Sequence, residues 1–308
     1  MSNVTRRTAL KTAGVATGVA IMAGRAPFSY AQNEKVRVGC IGTGGQGSFH
    51  IRDGLTGAED ISIVATCDVY GPHQALGAQL AQLANAGIEV VPGMSLTDEQ
   101  KARARAAVRP NRYYDYKEMI EKEQLDGVIV ATPLHTHYQI TMDCLDAGCH
   151  TFCEKTMTYE IEHGKDIVKK SYDTGKFVQV GHQRRYNPLY NKALMMAMDE
   201  GTLGRIVHMD CQWHRNNDWR RPVNKNHQLN SQERRWITDL EKHMNWRLYK
   251  ESSGGLMTEL ATHQLDIANW FIGAPPNRVH GYGGLDYWRD GRTIMDNVSL
   301  VYEYDVKP

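Results

Sequence analysis

A glycine-rich turn between two apolar segments is the feature that most restricts how this chain folds. Residues 42–47 read Gly-Thr-Gly-Gly-Gln-Gly and directly follow the mostly apolar residues 36–41. Residues 48–55 are compatible with a helix, and residues 61–67 form a second apolar segment that runs into Asp68. The order strand, glycine turn, helix, strand is typical of the first βαβ unit of a dinucleotide-binding sheet.

Apolar segments and helical patterns continue to alternate after this unit. Strands are predicted at residues 125–131, 150–154 and 177–181, and the helices between them at residues 138–147 and 161–174. Because parallel strands need crossover helices, the alternation predicts an α/β fold with a Rossmann-type, doubly wound parallel sheet. The polar, alanine-rich stretch before these strands is expected to be a helical insertion.

The pattern changes after residue 182, where a second domain is expected. The elements predicted in it are helices at residues 187–199 and 257–271 and strands at residues 206–213, 278–282 and 298–304. They are typical of an α+β domain with an open, mostly antiparallel sheet. We expect a dinucleotide-binding domain at residues 35–182 and a substrate and oligomerisation domain at residues 183–308. The latter is expected to be incomplete, because the chain ends just after a strand-like segment.

The first 31 residues are predicted to be an export signal. Arg6 and Arg7 precede a glycine-containing apolar stretch without acidic residues, which resembles a twin-arginine signal, and cleavage is expected after Ala31. The protein is therefore expected to meet the export machinery and to be periplasmic or otherwise exported. An amphipathic N-terminal helix is the alternative. A route for folded proteins suits an enzyme that takes up its cofactor before export.

Composition excludes several classes of protein. The formal charge of +1 and the 23% of charged residues give no sign of a nucleic-acid partner. No apolar run is long enough for a stable membrane span once the signal is removed. The six cysteines contain no paired CxxC spacing, so no metal site is expected, and Cys40 and Cys67 are interpreted as buried thiols. Cys149 and Cys153 form the only pair for which a disulfide is considered.

The glycines of the turn have separate tasks in a dinucleotide site. Gly42 permits the tight turn, Gly44 lets the backbone approach the phosphates, and Gly47 lets the helix pack closely. Asp68 at the tip of the second strand can accept hydrogen bonds from the adenosine ribose. A carboxylate disfavours a 2′-phosphate, so NAD is the expected cofactor and NADP the less favoured one. A strand-end cap is the alternative role for Asp68.

Two further groups of polar residues carry chemistry. One follows the later strands, whose carboxyl ends form the ligand-binding edge of such a sheet, and comprises Thr132, Pro133, His135, His137, Glu154 and Lys155. The other lies on the predicted helix at residues 257–271, where Glu259, His263 and Asp266 share one face. Carboxylates beside an imidazole can set its pKa and orient it for proton transfer. A surface ion pair for Lys155 and an ordinary polar helix face are the alternatives.

Four elements in this order resemble the Gfo/Idh/MocA oxidoreductases, named for glucose–fructose oxidoreductase and inositol dehydrogenase. They are the glycine loop, the Thr-Pro-x-x-x-His loop, the Glu-Lys pair and the Gly-Gly…Glu-x-x-x-His-x-x-Asp helix. The resemblance covers the chain from residue 36 onwards. It implies a Rossmann domain and a second domain with an open antiparallel sheet, through which subunits usually pair as a homo-oligomer.

The resemblance also implies roles for individual residues. The cofactor-binding residues are then Gly42, Gly44, Gly45, Gln46, Gly47, Asp68, Thr132, Pro133, His135, His137, Glu154, Gln183 and Arg184. The catalytic residues are Lys155, His263 and Glu259, and the substrate contacts include Lys155, Tyr186, His263 and Asp266. Thr156 stands where the family has proline, and this departure is expected to loosen the turn that fixes Lys155.

The stretch after residue 212 is rich in tryptophan and arginine. Aromatic faces and planar donors suit polyols, so residues 213–221 are predicted to be a sugar-facing loop that includes His214, Arg215, Trp219, Arg220 and Arg221; a packed loop of the second domain is the alternative.

Taken together, the motifs predict reversible hydride transfer between a tightly bound NAD and a secondary alcohol carbon of a sugar, polyol or glycoside. In this prediction His263 or Lys155 takes the hydroxyl proton, and Glu259 orients the histidine. The first alternative is an NAD-dependent glycosidase that oxidises the sugar transiently and retains its cofactor. The second alternative is a protein that binds a dinucleotide or a sugar without catalysis.

Overall fold

The computed structural model describes residues 35–91, 93–198, 202, 204–215 and 217–305. The predicted export signal at residues 1–31 lies outside the described residues. No helix among those described is long and apolar enough to cross a membrane.

A six-stranded parallel sheet organises the first half of the chain. Its strands are β1 (Val36–Ile41), β2 (Ile61–Cys67), β3 (Asn111–Tyr113), β4 (Gly127–Val130), β5 (His150–Cys153) and β6 (Val178–Val180). They are ordered β3-β2-β1-β4-β5-β6, and every neighbouring pair is parallel. The predicted doubly wound Rossmann sheet is thereby confirmed. Strand β3 was not predicted, because this short edge strand is mostly exposed and has no apolar pattern.

The sheet carries helices between its strands, as the alternation predicts. They are α1 (Gly45–Phe49), α2 (Gly71–Asn85), α3 (Asp98–Ala106), α4 (Tyr116–Lys122), α5 (His137–Asp146) and α6 (Ile161–Thr174). Helix α1 continues directly as a π-helical segment, His50–Leu55. The polar helix α3 begins at a capping box, in which the Thr97 hydroxyl accepts from the Gln100 backbone N–H and the Gln100 side chain accepts from Thr97.

Apolar residues on both faces of the sheet form its core. One cluster joins Val64, Val128 and Val130 to Met119 and Ile140, and another surrounds Ile51, Ile63 and Ala81. Burial on both faces explains why the central strands read as continuous apolar runs.

The cysteines of this domain belong to the same core. Cys40 and Cys67 are buried and free, as predicted for thiols that serve as small apolar side chains, and Cys144, Cys149 and Cys153 are buried and free as well. The bridge considered between Cys149 and Cys153 does not form. These residues lie before β5 and at its end.

The second half of the chain contains fewer regular elements. They are α7 (Pro188–Met198), α8 (Leu240–Met244), α9 (Thr262–Ile272), β7 (Arg278–Gly284) and β8 (Asn297–Glu303), with a π-helical segment, Met257–Ala261, directly before α9. Strands β7 and β8 pair in antiparallel register, with Val279 opposite Tyr302. This small sheet agrees with the predicted α+β character of the region.

The strand predicted at residues 206–213 is not present in the structure. This segment has no ladder partner among the described residues, and a strand needs one for its backbone groups. It lies instead beside α9, where the Gln264 side-chain amide donates to the Gln212 carbonyl at 3.1 Å. Its alternating sequence was therefore misleading.

Candidate cofactor cavity and active site

A cavity of about 500 Å³ opens at the carboxyl ends of β1, β2 and β4. Of the predicted cofactor-binding residues, those on its wall are Gly42, Gly44, Gly45, Gln46, Asp68, Thr132, Pro133 and His135. They come from three separate loops, which the parallel sheet brings to one edge.

The glycine loop leaves no room for side chains. Gly42 has φ +82°, a conformation that favours glycine, and a Cβ on Gly47 would lie 1.8 Å from the Gly42 carbonyl oxygen. A Cβ on Gly44 would lie 3.1 Å from a ring nitrogen of His73. The exposed backbone of this loop fits the close approach of a pyrophosphate, so the residues present suit a dinucleotide.

The carboxylate of Asp68 is fixed at the tip of β2 beside this loop. Its two oxygens accept hydrogen bonds from the backbone N–H groups of Thr43 at 2.8 Å and Tyr70 at 2.9 Å. Asp68 is buried but lines the cavity. Carboxylate oxygens have further lone pairs, which can accept hydrogen bonds from ribose hydroxyls.

His137 lies behind the cavity wall and not on it, contrary to its predicted role. Both of its ring nitrogens lie 2.9 Å from carbonyl oxygens, those of Thr156 and Thr132. Burial opposes the imidazolium, whereas Cys153 and the two carbonyls favour it, and the pKa of His137 rises to about 9. His137 therefore ties the loop after β4 to the loop after β5.

Glu154, Gln183 and Arg184 are also absent from the cavity wall. Glu154 lies 2.7 Å from His50 Nε2 and accepts from the Lys155 N–H at 3.0 Å. Burial opposes its ionisation, but these partners lower the pKa of Glu154. Gln183 begins a short 3₁₀ segment, Gln183–Tyr186, and Arg184 packs over the Trp213 ring. The parts of the site after β5 and β6 therefore lie next to the cavity.

A group of charges around the buried Glu259, here called the lysine cluster, consists of Glu259 and the half-buried Lys155 and Arg247. Lys155 Nζ donates to the Glu259 carbonyl at 3.0 Å and lies 3.5 Å from Glu259 Oε2. Arg247 Nε donates to the same Oε2 at 3.1 Å. Arg247, which the sequence analysis missed, also lines the cavity.

Thr156 holds the turn after Lys155 firmly, contrary to the expectation that it loosens this turn. The Thr156 hydroxyl donates to the Thr258 carbonyl at 2.6 Å, and the Thr156 carbonyl accepts from His137. Hydrogen bonds replace the rigidity that a proline ring supplies.

His263 lies near the lysine cluster but is not oriented by Glu259 as predicted. Among the described residues its Nδ1 has no hydrogen-bond partner, and the Glu259 carboxylate is directed to Lys155 and Arg247 instead. Glu259 lies in the π-helical segment, whose wider turn changes the face on which a residue lies. Burial and the charges of Lys155 and Arg184 lower the pKa of His263 to about 4.

Asp266 lies in α9 together with His263, but its carboxylate pairs with another residue. It receives a bidentate pair from Arg185, at 2.9 and 2.7 Å, and lies 3.8 Å from His182 Nδ1. The predicted polar face therefore consists of two carboxylates paired with other residues and a neutral histidine.

The predicted sugar contacts are placed unevenly around His263. The Trp213 ring lies 5.5 Å from the His263 ring, and Arg215 packs over Trp213. His214 Nε2 lies 3.2 Å from the side-chain oxygen of Gln212. Tyr186 is exposed and accepts from Gln179.

Trp219 also lies beside Arg215, with its ring centroid 5.7 Å from the Arg215 guanidinium. It packs against the small core of Leu248, Tyr249 and Ile294, as in the packed-loop alternative.

Sequence reasoning also missed a second source of cavity residues. An irregular stretch after residue 221 supplies Trp236, His243, Met244, Trp246 and Arg247 to the wall, together with Arg221 from the predicted sugar-facing loop. Its arginines and tryptophans were visible in the sequence, but it has no periodicity that predicts where they lie. No group of three or more metal-ligating side chains occurs among the described residues.

Comparison with known families supports the assignment of the cofactor domain. Residues 36–182 match the model described as "Oxidoreductase family, NAD-binding Rossmann fold", and residues 192–307 match the "GFO/IDH/MocA C-terminal domain". Together these matches cover most of the chain.

Individual relatives are more distant. An inositol 2-dehydrogenase/D-chiro-inositol 3-dehydrogenase of Lactiplantibacillus plantarum is 26% identical over 79% of this chain and 54% of its own. A glycosyl hydrolase family 109 protein of Shewanella baltica is 26% identical over 69% of this chain and 46% of its own. The chain thus spans about half the length of these curated relatives.

Among solved structures, the fold is similar to that of the WlbA dehydrogenase of Chromobacterium violaceum, determined with NADH and UDP-GlcNAcA. The TM-score is 0.62 at 21% identity, covering 89% of this chain and 65% of that one. With the glycine loop, the cavity and both family models in agreement, the chain belongs to the Gfo/Idh/MocA oxidoreductases and contains their NAD-binding Rossmann domain.

Proposed function

We propose that the protein transfers a hydride between NAD and a secondary alcohol carbon of a sugar, polyol or glycoside. The observation that carries this proposal is the position of Arg247, which belongs to the cavity wall and also shares the Glu259 carboxylate with Lys155. A substrate near Lys155 and His263 is then next to a cofactor in the cavity.

The chemistry needs one hydride acceptor and one proton acceptor. When bound, NAD⁺ accepts the hydride as the carbon–hydrogen bond breaks and the carbonyl forms. The hydroxyl proton passes to His263, which is neutral at neutral pH because its pKa is lowered to about 4. The ammonium of Lys155, held by Glu259, stabilises negative charge that develops on the substrate oxygen.

Two observations favour a polyhydroxylated substrate. Trp213, Arg215 and Arg184 form an aromatic and cationic surface beside His263. The L. plantarum relative is named for two inositol dehydrogenase activities. Cyclic polyols and sugars are therefore the first compounds to test.

The test is NADH formation from NAD⁺ with a panel of cyclic polyols, hexoses and glycosides. Lys155→Met and His263→Asn are each expected to lower kcat roughly 100-fold or more. Lys165→Met, which removes an exposed lysine paired with Glu162, is the matched control and is expected to leave kcat unchanged. Unchanged turnover in both active-site variants contradicts the proposal.

A second candidate is a glycosidase that oxidises a sugar carbon transiently and regains the hydride. The S. baltica relative, named as a glycosyl hydrolase, favours testing it. Aglycone release from an aryl glycoside without net NADH formation supports this candidate. NADH accumulation with free polyols and no aglycone release supports the dehydrogenase.

We also propose that NAD is preferred over NADP and that it stays bound through many turnovers, as an exported enzyme requires. Asp68 supports the first part, since its carboxylate lines the cavity at the tip of β2 and would repel a 2′-phosphate bound beside it. The export proposal rests on the sequence, in which Arg6 and Arg7 precede an apolar stretch without acidic residues. Replacing both by lysine is expected to keep the chain out of the periplasmic fraction; unchanged fractionation contradicts twin-arginine export.

A homo-oligomer is proposed through the small sheet. On the outward face of β7 and β8, Tyr282 and Val301 are 74% and 66% exposed, which is unusual for a pair of large apolar residues. Light scattering is expected to give a molar mass of more than one chain for the wild type. The Val301→Glu variant is expected to have the molar mass of a single chain. A monomeric wild type contradicts the proposal.

A further inference from the structure

Residues 220–247, here called the strap, pass along the cofactor cavity from the second half of the chain. They contain the short helix α8 and the 3₁₀ segment Glu233–Arg235, and otherwise have little regular structure. Their side chains nevertheless provide one part of the cavity wall, while the Rossmann loops provide the other. A dinucleotide in the cavity therefore lies between the sheet edge and the strap.

The strap is attached to the cofactor domain at a buried carboxylate. Glu233, which is fully buried, accepts from the backbone N–H of Gly71 at 2.8 Å and of Asn230 at 2.6 Å. Its Oε1 also lies 2.9 Å from His227 Nε2. Gly71 is the first residue of α2, three residues after Asp68. This attachment fixes the strap next to the expected ribose site.

Within the strap, the backbone of Arg221 is held from both sides by one side chain. The side-chain oxygen of Asn245, Oδ1, accepts a hydrogen bond from the Arg221 backbone N–H at 2.6 Å. The side-chain nitrogen, Nδ2, donates to the Arg221 backbone carbonyl at 3.2 Å. Asn245 is itself 3% exposed. The position from which the Arg221 side chain starts is therefore fixed.

The guanidinium of Arg221 lies over the glycine loop. Its Nη1 is 2.9 Å from the point that a Cβ on Gly45 would occupy. Among the described residues no carboxylate forms an ion pair with Arg221, whereas Arg247 pairs with Glu259. Arg221 is exposed at the cavity wall, so an anion in the cavity can reach its guanidinium. Partial desolvation and the charge of Arg247 lower the pKa of Arg221, and an anion beside both arginines reduces their mutual repulsion.

We propose that Arg221 is a ligand of the dinucleotide pyrophosphate, opposite the glycine loop, and that the Glu233 attachment slows release of the cofactor. A guanidinium presents paired donors that match phosphate oxygens. The inference rests on the proposed NAD-dependent function. It adds to that function a phosphate contact from outside the Rossmann domain and a cause for cofactor retention.

Calorimetric titration of the nucleotide-free chain with NAD tests the ligand role. Arg221→Gln is expected to weaken NAD binding roughly 10- to 100-fold, as for loss of a charged hydrogen bond, and to leave adenosine binding unchanged. Arg221→Lys, which keeps the charge, is expected to bind NAD with an affinity between those of the wild type and Arg221→Gln. Arg234→Gln is the matched control, because Arg234 is an exposed strap arginine outside the cavity wall.

The titrations distinguish a failure of the Arg221 ligand role from a failure of the proposed NAD-dependent function. Equal NAD affinities for Arg221→Gln and Arg234→Gln overturn the inference and leave the proposed function standing. A wild-type chain that binds no NAD overturns both. For the attachment, a chase of bound NADH is expected to show roughly tenfold faster release from Glu233→Gln than from wild type, and an unchanged rate overturns the retention role.

Discussion

Glu259 is the residue on which the candidate active site depends most, because two cations share its carboxylate. Lys155 and Arg247 lie 3.5 and 3.1 Å from the same oxygen, Oε2. The Glu259 side chain is 2% exposed, and those of Lys155 and Arg247 are 14% and 24% exposed, so the carboxylate has little access to water. Removing one member of a buried charged group leaves the others uncompensated.

Glu259→Gln is therefore expected to lower the free energy of unfolding by about 3 kcal/mol, measured by urea denaturation. The control is Glu251→Gln, which removes the carboxylate of an exposed pair with Lys242 at 3.0 Å. Exposed pairs contribute at most about 1 kcal/mol. Equal losses in the two variants contradict the description of the lysine cluster as charges around a buried carboxylate.

The neutral state of His263 gives a prediction with a definite sign. Burial and the charges of Lys155 and Arg184 lower its pKa from 6.5 to about 4. Stability from this group is present above pH 6.5 and is lost as the pH falls towards 4. An NMR titration of the His263 ring is expected to have its midpoint near pH 4. A midpoint near pH 6.5 contradicts the electrostatic account of the site.

At the scale of elements, the contact between the glycine loop and α1 allows a matched pair of substitutions. Gly47→Ala places a Cβ 1.8 Å from the Gly42 carbonyl oxygen, whereas Gly54→Ala meets nothing within 4 Å. Gly47→Ala is expected to abolish NAD binding and to destabilise the chain by about 2 kcal/mol or more. Gly54→Ala is expected to be neutral or slightly stabilising. Similar NAD affinities and melting temperatures of the two variants contradict this packing.

Sequence patterns predicted five of the six strands of the Rossmann sheet, because these five have a local apolar signal that the exposed edge strand β3 lacks. Strands β1, β2 and β4 are apolar runs buried on both faces, and Gly42 and Gly47 mark the turn that only glycine can form. The position of Lys155 at the carboxyl ends of the strands was also predicted, because the strands were expected to be parallel. These features depend on neighbours along the chain, which a sequence displays directly.

The wrong predictions concern features that depend on distant partners. Residues 206–213 alternate like a strand, but the alternation does not supply a partner for the ladder. Glu259 and His263 have helical spacing, but the π-helical segment and the pull of Lys155 and Arg247 separate them. Arg221 reaches the glycine loop only because Glu233 and Asn245, which have no motif, fix the strap.

At the scale of the whole molecule, one cavity is built from both halves of the chain, so ligand binding is expected to stabilise the fold as a unit. NAD at 100 times its Kd is expected to add about 2.7 kcal/mol to the free energy of unfolding. NADP at the same concentration is expected to add less, because of Asp68. Thermal unfolding with each nucleotide measures how much more NAD stabilises the chain than NADP does. Asp68→Asn is expected to reduce this difference in stabilisation. An equal shift for NAD and NADP contradicts the assigned role of Asp68.

The central claim is that this chain holds a nicotinamide dinucleotide and reduces it with a polyhydroxylated alcohol. The most direct measurement is to denature the purified protein before and after incubation with the polyol panel and to determine the identity and redox state of the released dinucleotide. The account predicts NAD⁺ before incubation and NADH after it in wild type, with no reduction in Lys155→Met. Protein that holds no dinucleotide, or holds one that no polyol, sugar or glycoside reduces, contradicts the account.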